Sequence, residues 1–406
     1  MSRTSRSDRI RHPVRAFLLL ALVAGATPGT ASAAIFGSDP IPISVGPQGQ
    51  AANGPSGGAT VSGDNRRGTL AGFHSEASNL VSGDTNGVAD VFVWSRPRGR
   101  AGLSLRAPAR PAGALQRVSV GGRGAQANGA SLNPSLDGSL APGDRARAPR
   151  CVAFESTATN LAGSDRDSRA DVYVRMLSAR RTVHVSRGIG PAATNPSIDG
   201  SCRRVVFEAG GRVYVAPVSG GQPRSLGRGS SPDLSLDGSA IAWERGSSIA
   251  VNRAGNTSTI APRGSNPTVS DREVDQWAVA LETGGDVQMR VFRARGGSRR
   301  TLRVTSGGGT SASGGLTAFA ANRGIVTYVT SRGGVSDLFY RNNNSGNSDD
   351  LAHATGPGSQ PSIFDVATSA RANFVAFTST GADFPFDRNG PVADVFFKHL
   401  IDGVAL

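Results

Sequence analysis

The stretch CVAFESTATNLAGSDRDSRADVYV, residues 151–174, decides the fold because variants of it return along the whole chain. It joins an apolar run that ends on a large side chain, a polar loop, and a second apolar run that begins with Asp. Both runs have the β-branched and aromatic residues typical of short strands. The large side chain recurs seven times, at Phe73, Phe154, Phe207, Trp243, Leu281, Tyr328 and Phe377. Self-similarity at this scale indicates a repeat architecture.

Each repeat is predicted to contain four short strands. In the clearest copy, Asn133-Pro134-Ser135-Leu136-Asp137-Gly138 supplies a first strand and a turn. Residues 151–156, 171–177 and 181–186 supply the second, third and fourth strands. No stretch has the sustained periodicity of an amphipathic helix, so we expect an all-β chain.

The two ends of the chain predict how the repeats close. Residues 42–53, PISVGPQGQAAN, resemble residues 117–128, RVSVGGRGAQAN, which end one repeat and introduce the next. At the N-terminus no repeat precedes this segment, so its closing strand has no blade of its own. The last repeat, by contrast, has only three predicted strands and lacks a fourth. We therefore expect the N-terminal strand to complete the last sheet, which closes a ring and protects the sheet edges.

These observations predict a single β-propeller over residues 34–406, with seven four-stranded blades and six as the alternative count. The expected blades span approximately 58–120, 130–186, 195–226, 231–260, 266–305, 313–354, and 360–399 together with 41–45.

The motifs also resemble a known family. NPSLDG (133–138) and NPSIDG (195–200), followed by VAFES (152–156) and then DVYV (171–174), resemble the WD40-like propeller repeat of the TolB family. The resemblance covers residues 41–399. It implies an extracytoplasmic propeller that binds proteins. The TolB family typically has six blades and a separate N-terminal α/β domain, which we do not find in this sequence, so its role in envelope transport is not carried over.

The N-terminus predicts export. Five arginines precede the apolar run AFLLLALVAGA (16–26), and Ala31-Ser32-Ala33 matches a cleavage site. This order is typical of a secretory signal peptide, here residues 1–33, with cleavage near Ala33. The apolar run is too short for a membrane span. We expect a secreted or extracytoplasmic monomer without a membrane span.

The two cysteines predict one disulfide. Cys151 and Cys202 lie at matching places in consecutive repeats, and an exported chain with an even number of cysteines favours a bridge. Two free buried thiols, or a bridge between chains, are the alternatives.

The charge points to no specific nucleic-acid partner. The formal net charge of +14 falls to +10 without residues 1–33, and Lys398 is the only lysine. The arginines are scattered and the aromatic residues belong to strands, whereas a nucleic-acid groove interleaves the two. Solvated surface charge is the expected interpretation, and an anion-binding face is the alternative.

Three loops before a third strand carry side-chain oxygens in an order that suits a hard cation. They contain Asp84, Asn86 and Asp90; Asp165, Asp167 and Asp171; and Asp387, Asn389 and Asp394. These loops look like shortened forms of the calcium loops of other propellers. The hypothesis from this pattern is weak Ca²⁺ binding, at the first two loops before the last, and no cofactor is expected to be required. The alternative, which we favour, is that Asp and Asn shape the turns and the final Asp caps the strand start.

The sequence lacks an obvious catalytic set. Gly54-Pro55-Ser56-Gly57-Gly58 matches a nucleophile motif by letters, but we place it in a glycine-rich linker without the flanking strand and helix. His74, His184, His353 and His399 have no second histidine nearby, so zinc ligation is not indicated.

Three functions follow, in order of preference. The first is a secreted, non-enzymatic scaffold that binds a protein or an envelope glycan. The second is an extracellular propeller enzyme, a polysaccharide lyase or hydrolase, in which His184, acidic residues and Arg would meet in the central funnel. The third is a binder of anionic polymers that uses the arginines.

Overall fold

The structure is a computed structural model of the chain. It describes residues 39–64, 70–97, 113–138, 149–270, 276–293, 300–305, 314–320, 323–332, 334–342, 346, 348–356, 362–369, 373–384 and 387–400, with the backbone alone at 314–320, 323–324 and 332. The expected signal peptide lies outside these residues. In the part of the chain that is described, no helix has the length and apolar character needed to cross a bilayer.

The described strands form seven four-stranded antiparallel sheets, which confirms the all-β prediction and the count of seven blades. The first four blades contain β2 (Ser56–Val61), β3 (Leu70–Ser75), β4 (Asp90–Ser95) and β5 (Ala114–Arg117); β6 (Ser131–Leu136), β7 (Cys151–Ser156), β8 (Asp171–Met176) and β9 (Arg181–His184); β10 (Ala193–Ile198), β11 (Arg204–Ala209), β12 (Arg212–Pro217) and β13 (Arg224–Arg228); and β14 (Ser230–Leu234), β15 (Ala240–Arg245), β16 (Ser248–Arg253) and β17 (Asn256–Ala261). The last three contain β18 (Ser265–Val269), β19 (Gln276–Thr283), β20 (Asp286–Arg293) and β21 (Arg300–Arg303); β22 (Gly314–Ala320), β23 (Arg323–Arg332), β24 (Val335–Asn342) and β25 (Ser348–Thr355); and β26 (Ile363–Thr368), β27 (Phe374–Ser379), β28 (Asp394–His399) and β1 (Ile41–Pro42).

The blades are arranged in a ring. The first strand of each blade contacts the first strand of the next, and β2 of the first blade contacts β26 and β27 of the seventh. Because the strands alternate in direction, the loops between second and third strands share one face with the connections between blades. We call this the loop face. The turns between first and second strands and between third and fourth strands lie on the opposite face, which we call the turn face.

The ring closes as the sequence predicted. Strand β1 pairs antiparallel with β28, with Ile41 opposite Phe397 and Pro42 opposite Phe396. The Ile43 amide then donates to the Val395 carbonyl at 2.8 Å. Pro42 lacks an N–H group, and the outer edge of a sheet is where a strand tolerates that loss.

The recurring large side chains form the cores of the blades. Phe73, Phe154, Phe207 and Phe377 are fully buried. Each stacks on the aromatic ring opposite it in the third strand; the pairs Phe73–Phe92, Phe154–Tyr173, Phe207–Tyr214 and Phe377–Phe396 have ring centroids 5.7, 6.0, 5.7 and 5.6 Å apart. The aromatic residue of the DVFV, DVYV, RVYV and DVFF motifs therefore completes the same core contact in these four blades.

The turn after the first strand has one design in six blades. A side-chain oxygen accepts an amide hydrogen from the second strand, from its first residue in five blades and from its third residue, Ala278, in the fifth blade. The acceptors are Ser62, Asp137, Asp199, Ser235, Ser270 and Ser369. This explains Asp137 and Asp199 as hairpin residues. Four of the six acceptors are Ser, so the position does not form a ring of carboxylates.

Two details of the first three blades bear on the sequence predictions. The placement of Ser56 in a linker is wrong, since Ser56 begins β2 and its Oγ donates to Ser75 Oγ at 2.9 Å. The disulfide is confirmed. It joins Cys151, at the start of β7, to Cys202, in the turn before β11, with their Cα atoms 6.0 Å apart. The bridge therefore fastens the second blade to the third on the turn face.

Candidate functional site

The final Asp of each candidate cation loop is part of a latch between the third and fourth strands. In four blades an Asp at the third strand's first position accepts a hydroxyl hydrogen from a Ser or Thr that follows the fourth strand; the pairs are Asp90–Ser119, Asp171–Ser186, Asp286–Thr305 and Asp394–Ser44. The same hydroxyl accepts the amide hydrogen of the residue after the Asp. The latch gives these carboxylates a structural role, as the alternative interpretation of the loops expected.

In the first loop an arginine lies between the acidic side chains. Arg117 Nη1 is 2.9 Å from Asp84 Oδ1 and 3.2 Å from Asp90 Oδ2. It also donates to Gln126 Oε1 at 2.8 Å. Burial and the negative charge of Asp90 raise the pKa of Asp84, although Arg117 acts against this. A metal ion at this loop would have to displace the guanidinium group.

In the second loop three carboxylates converge. One oxygen each from Asp165, Asp167 and Asp171 lies within 4.8 Å of the other two, and Asp165 and Asp171 are buried. Tyr173 donates its hydroxyl hydrogen to Asp165 at 2.5 Å, and Arg169 contacts the exposed Asp167 at 2.6 Å. The side chains that the sequence grouped in this loop are therefore brought together.

His184 completes the second loop from the fourth strand. Its Nε2 lies 3.1 Å from Asp171 Oδ1, off the direction of a good hydrogen bond, and its Nδ1 lies 3.1 Å from Ser164 Oγ. Burial alone would raise the pKa of Asp171, but contacts with His184 and Ser186 hold that pKa below its ordinary value.

The last loop lacks a basic side chain on the fourth strand. Arg117 is paired with Phe92, His184 with Tyr173, and Pro42 with Phe396, so the three residues occupy equivalent positions. Proline thus stands where the first two blades have a basic side chain. Burial raises the pKa of Asp394 to about 6, and the charge of Asp387 acts in the same direction.

In the last loop, the side-chain amide of Asn389 has a hydrogen-bond partner for its nitrogen but not for its oxygen among the described residues. Its Nδ2 donates to the Ala52 carbonyl at 3.2 Å, as Asn86 does to Ala127 at 3.1 Å in the first loop. Its Oδ1 is buried and has no hydrogen-bond partner among the described residues. An oxygen in this state fits a cation ligand.

The basic residues of the fourth strand were not among the predicted site residues. Arg117 and Gln126 lie in β5 and the connection after it, far from Asp84 in the sequence. The signal was present in the closing segments RVS (117–119), HVS (184–186) and PIS (42–44), where the residue two positions before Ser changes from Arg to His to Pro.

A polar belt joins neighbouring blades near the central channel. The residue after the large core side chain accepts an amide hydrogen from the first strand of the next blade; the pairs are Glu155–Asn195, Glu208–Ser231 and Glu244–Asn266, at 2.7, 2.6 and 2.8 Å. His74 is in the same position and faces the Asn133 amide at 3.4 Å. These glutamates, which would be natural catalytic candidates in a funnel, are used in blade-to-blade contacts.

The other histidines also pack or pair locally. His399 stacks on Phe374 with ring centroids 4.7 Å apart, and burial lowers its pKa to about 4. The exposed His353 pairs with Asp337 at 2.6 Å.

Comparisons with known proteins agree with this architecture. No family model and no curated protein sequence matches the chain. Among solved structures, a puromycin-hydrolyzing peptidase of Mycobacterium tuberculosis is 13% identical with a TM-score of 0.48, and the match covers 88% of this chain and 53% of that one. The β-propeller domain of the Trilobed protease from Pyrococcus furiosus is 10% identical with a TM-score of 0.47, covering 87% and 95% of the two chains.

The TolB protein from Agrobacterium tumefaciens also matches. It is 12% identical with a TM-score of 0.39, and the match covers 71% of this chain and 94% of that one. The propeller that the TolB-like resemblance implied is confirmed by the ring of seven four-stranded blades. The chain spans about half the length of the peptidase, and identities this low show the fold alone.

Proposed function

We propose that this chain is exported and works as a non-enzymatic propeller that binds a protein or an envelope glycan. One observation carries the proposal. Acidic side chains that would be candidates for chemistry are used in structural contacts: Asp90, Asp171 and Asp394 in the latches between strands, and Glu155, Glu208 and Glu244 in the belt between blades. A face built this way keeps its shape and leaves its loops for recognition.

Export is supported by the basic and apolar order of residues 1–33 and by the Cys151–Cys202 disulfide, which is compatible with an oxidising compartment. N-terminal sequencing of the protein recovered outside the cytoplasm tests this part. The expected first residue is Ala34, and an unprocessed Met1 in that fraction would contradict it.

Binding without turnover is tested by mixing the protein with arrayed glycans and peptides. Ligands that are retained and then recovered chemically unchanged support the proposal. Any ligand that is cleaved at a rate proportional to protein concentration overturns it.

A second candidate function has one specific observation in its favour. Ser164, His184 and Asp171 form a line of hydroxyl, imidazole and carboxylate, with successive distances of 3.1 Å. Ser164 is exposed, as a nucleophile must be. A hydrolase that uses this line would lose its activity in Ser164→Ala and retain its fold, whereas the binding propeller has no activity to lose.

We also propose weak Ca²⁺ binding at the acidic loops. The supporting features are the converging carboxylates of the second loop and, in the last loop, the unpaired Asn389 Oδ1 beside Asp394 with Pro42 in place of a basic side chain. A bound Ca²⁺ ion would neutralise the carboxylates of these loops, as the Arg117 side chain neutralises those of Asp84 and Asp90 in the first blade.

A further inference from the structure

The third and fourth blades enclose a cleft on the turn face, away from the acidic loops. Its volume is about 760 Å³, within the range of roughly 300–1,000 Å³ usual for ligand pockets. Its lining comes from the start of β11, the end of β12, the turn into β13, the turn before β15 and the end of β16. The cleft therefore has one wall from each blade, and the ring holds the two walls at a fixed distance.

Two guanidinium groups face this cleft, those of Arg204 and Arg224 in the third blade. Arg204 Nη2 donates to the Gly238 carbonyl across the blade boundary, which fixes its direction. Arg253 of the fourth blade also belongs to the lining, but its guanidinium lies over the Trp277 ring of the fifth blade, 5.3 Å from the ring centroid. Neither Arg204 nor Arg224 has an ion pair with a carboxylate among the described residues, so the cleft can attract an anion.

The nearest acidic residue of the third blade, Asp199, makes its hydrogen bonds within its own turn and forms no ion pair with Arg204 or Arg224 among the described residues. Asp199 Oδ1 accepts the amide hydrogens of Arg203 and Arg204 at 2.6 and 3.1 Å, and Asp199 Oδ2 accepts the Ser201 hydroxyl. Its carboxylate is therefore used by the turn before β11. The Cys151–Cys202 bridge lies in the same turn and fixes the backbone that presents Arg204.

Neutral groups that can both donate and accept hydrogen bonds lie between the arginines. Asn252 is 8% exposed and donates to Thr257 Oγ1 at 2.9 Å. The Ser239 hydroxyl is buried and has no partner among the described residues, and Gln222 lies at the rim. A guanidinium only donates, which suits carboxylates, whereas hydroxyl and amide groups also suit the hydroxyls of a sugar.

We propose that this cleft binds a carboxylate-bearing saccharide, a short run of uronic acid residues. The proposal rests on the proposed binding function and names its ligand class. An acidic peptide would also satisfy the arginines and is the alternative ligand; the neutral Ser239 and Asn252 groups favour the saccharide, whose rings present several hydroxyls beside each carboxylate.

The test measures binding of a fluorescently labelled uronic acid hexamer to the full-length, disulfide-bonded chain. Arg224→Gln is expected to weaken binding at least tenfold. Arg228→Gln is the matched control, because it removes the same charge from the other end of β13, roughly 13 Å away on the loop face, and should change affinity less than twofold. Thermal melting checks that both variants fold.

Two further ligands separate the possible outcomes. The methyl ester of the same hexamer keeps the ring hydroxyls and loses the charges, and we expect it to bind at least tenfold more weakly. A hexaglutamate peptide should bind more weakly than the hexamer. Equal losses in the two variants, equal binding of the ester, or tighter binding of the peptide would each overturn the assignment. Cleavage of the bound hexamer would overturn the non-enzymatic function and leave the cleft assignment standing. Absence of binding by the wild type would overturn the cleft assignment and leave the non-enzymatic function standing.

Discussion

Ser44 donates its hydroxyl hydrogen to Asp394 at 2.7 Å, although 350 residues separate the two in the sequence. The same Ser44 oxygen accepts the Val395 amide hydrogen at 2.9 Å. These bonds repeat the latch that Ser119 makes with Asp90 inside the first blade. The difference is that Ser44 joins the beginning of the ring to its end, so the latch here also closes the propeller.

Ser44→Ala is therefore expected to lower the free energy of unfolding by about 1–3 kcal/mol, because it removes a hydroxyl donor from the buried Asp394. Chemical denaturation measures the effect. Ser82→Ala is the control, since Ser82 is exposed in the second-to-third-strand loop of the first blade. Equal stability of the wild type and Ser44→Ala would show that the closing strand does not depend on this bond.

Loss of the disulfide should cost more. The bridge closes a loop with a sequence separation of 51 residues, and chain entropy predicts that its removal lowers stability by about 4 kcal/mol. The double variant Cys151→Ser with Cys202→Ser should therefore melt well below the wild type. Reduction of the wild type should reproduce the variant, and a melting temperature that reduction does not change would contradict the prediction.

Asp137 gives the protein a stability that depends on pH. Burial is the main cause that raises the pKa of Asp137 from 3.8 to about 7, against the amide hydrogens of Cys151 and Arg150. Between these two values the folded chain holds a proton that the unfolded chain releases, so stability falls as the pH rises from about 4 to about 7.

Asp137→Asn removes this penalty and keeps an oxygen for both amide hydrogens. We expect the variant to be about 1–3 kcal/mol more stable than the wild type at pH 8 and equal to it below pH 4. Asp137→Ser, which copies the residue found in four other blades, should also lose the pH dependence. Melting curves from pH 3.5 to 8 provide the measurement; a difference that stays constant across this range would argue against the assignment.

The ring could be predicted from the sequence because its signals are local. The large core side chain and the aromatic residue of the third strand recur in short apolar runs, and the copied segment at 42–53 shows where the missing strand comes from. The buried Phe154–Tyr173 and Phe377–Phe396 pairs are the physical reason for that pattern.

The two candidate sites could be predicted only in part. The acidic residues of each loop are neighbours in the sequence, but Arg117 reaches Asp84 only through the pairing of β4 with β5. The cleft draws Arg204 and Arg224 from two strands of the third blade, and Ser239 and Asn252 from the fourth, so no local motif marks it. Such sites depend on strand register and blade packing, which the sequence pattern alone does not specify.

Calcium should stabilise the protein by binding at the last loop, where Pro42 leaves the acidic side chains without a basic partner from the fourth strand. With a dissociation constant of about 1 mM, typical of an extracellular site, 10 mM Ca²⁺ would stabilise the protein by about 1.4 kcal/mol. Asp387→Asn should remove the response if the ion binds at the last loop, and Asp167→Asn should do so if it binds at the second. Calorimetry with each variant separates the two sites.

Pro42→Arg provides the sharper test, because it places a basic side chain where the first blade has Arg117. A guanidinium beside Asp387 and Asp394 should raise the melting temperature without calcium and make further calcium ineffective at this loop. Pro42→Gln is the control, since it restores the amide hydrogen without the charge and should keep the calcium response. If Pro42→Arg and Pro42→Gln respond to calcium equally, the last loop is not a cation site, and its acidic residues serve the closing latch alone.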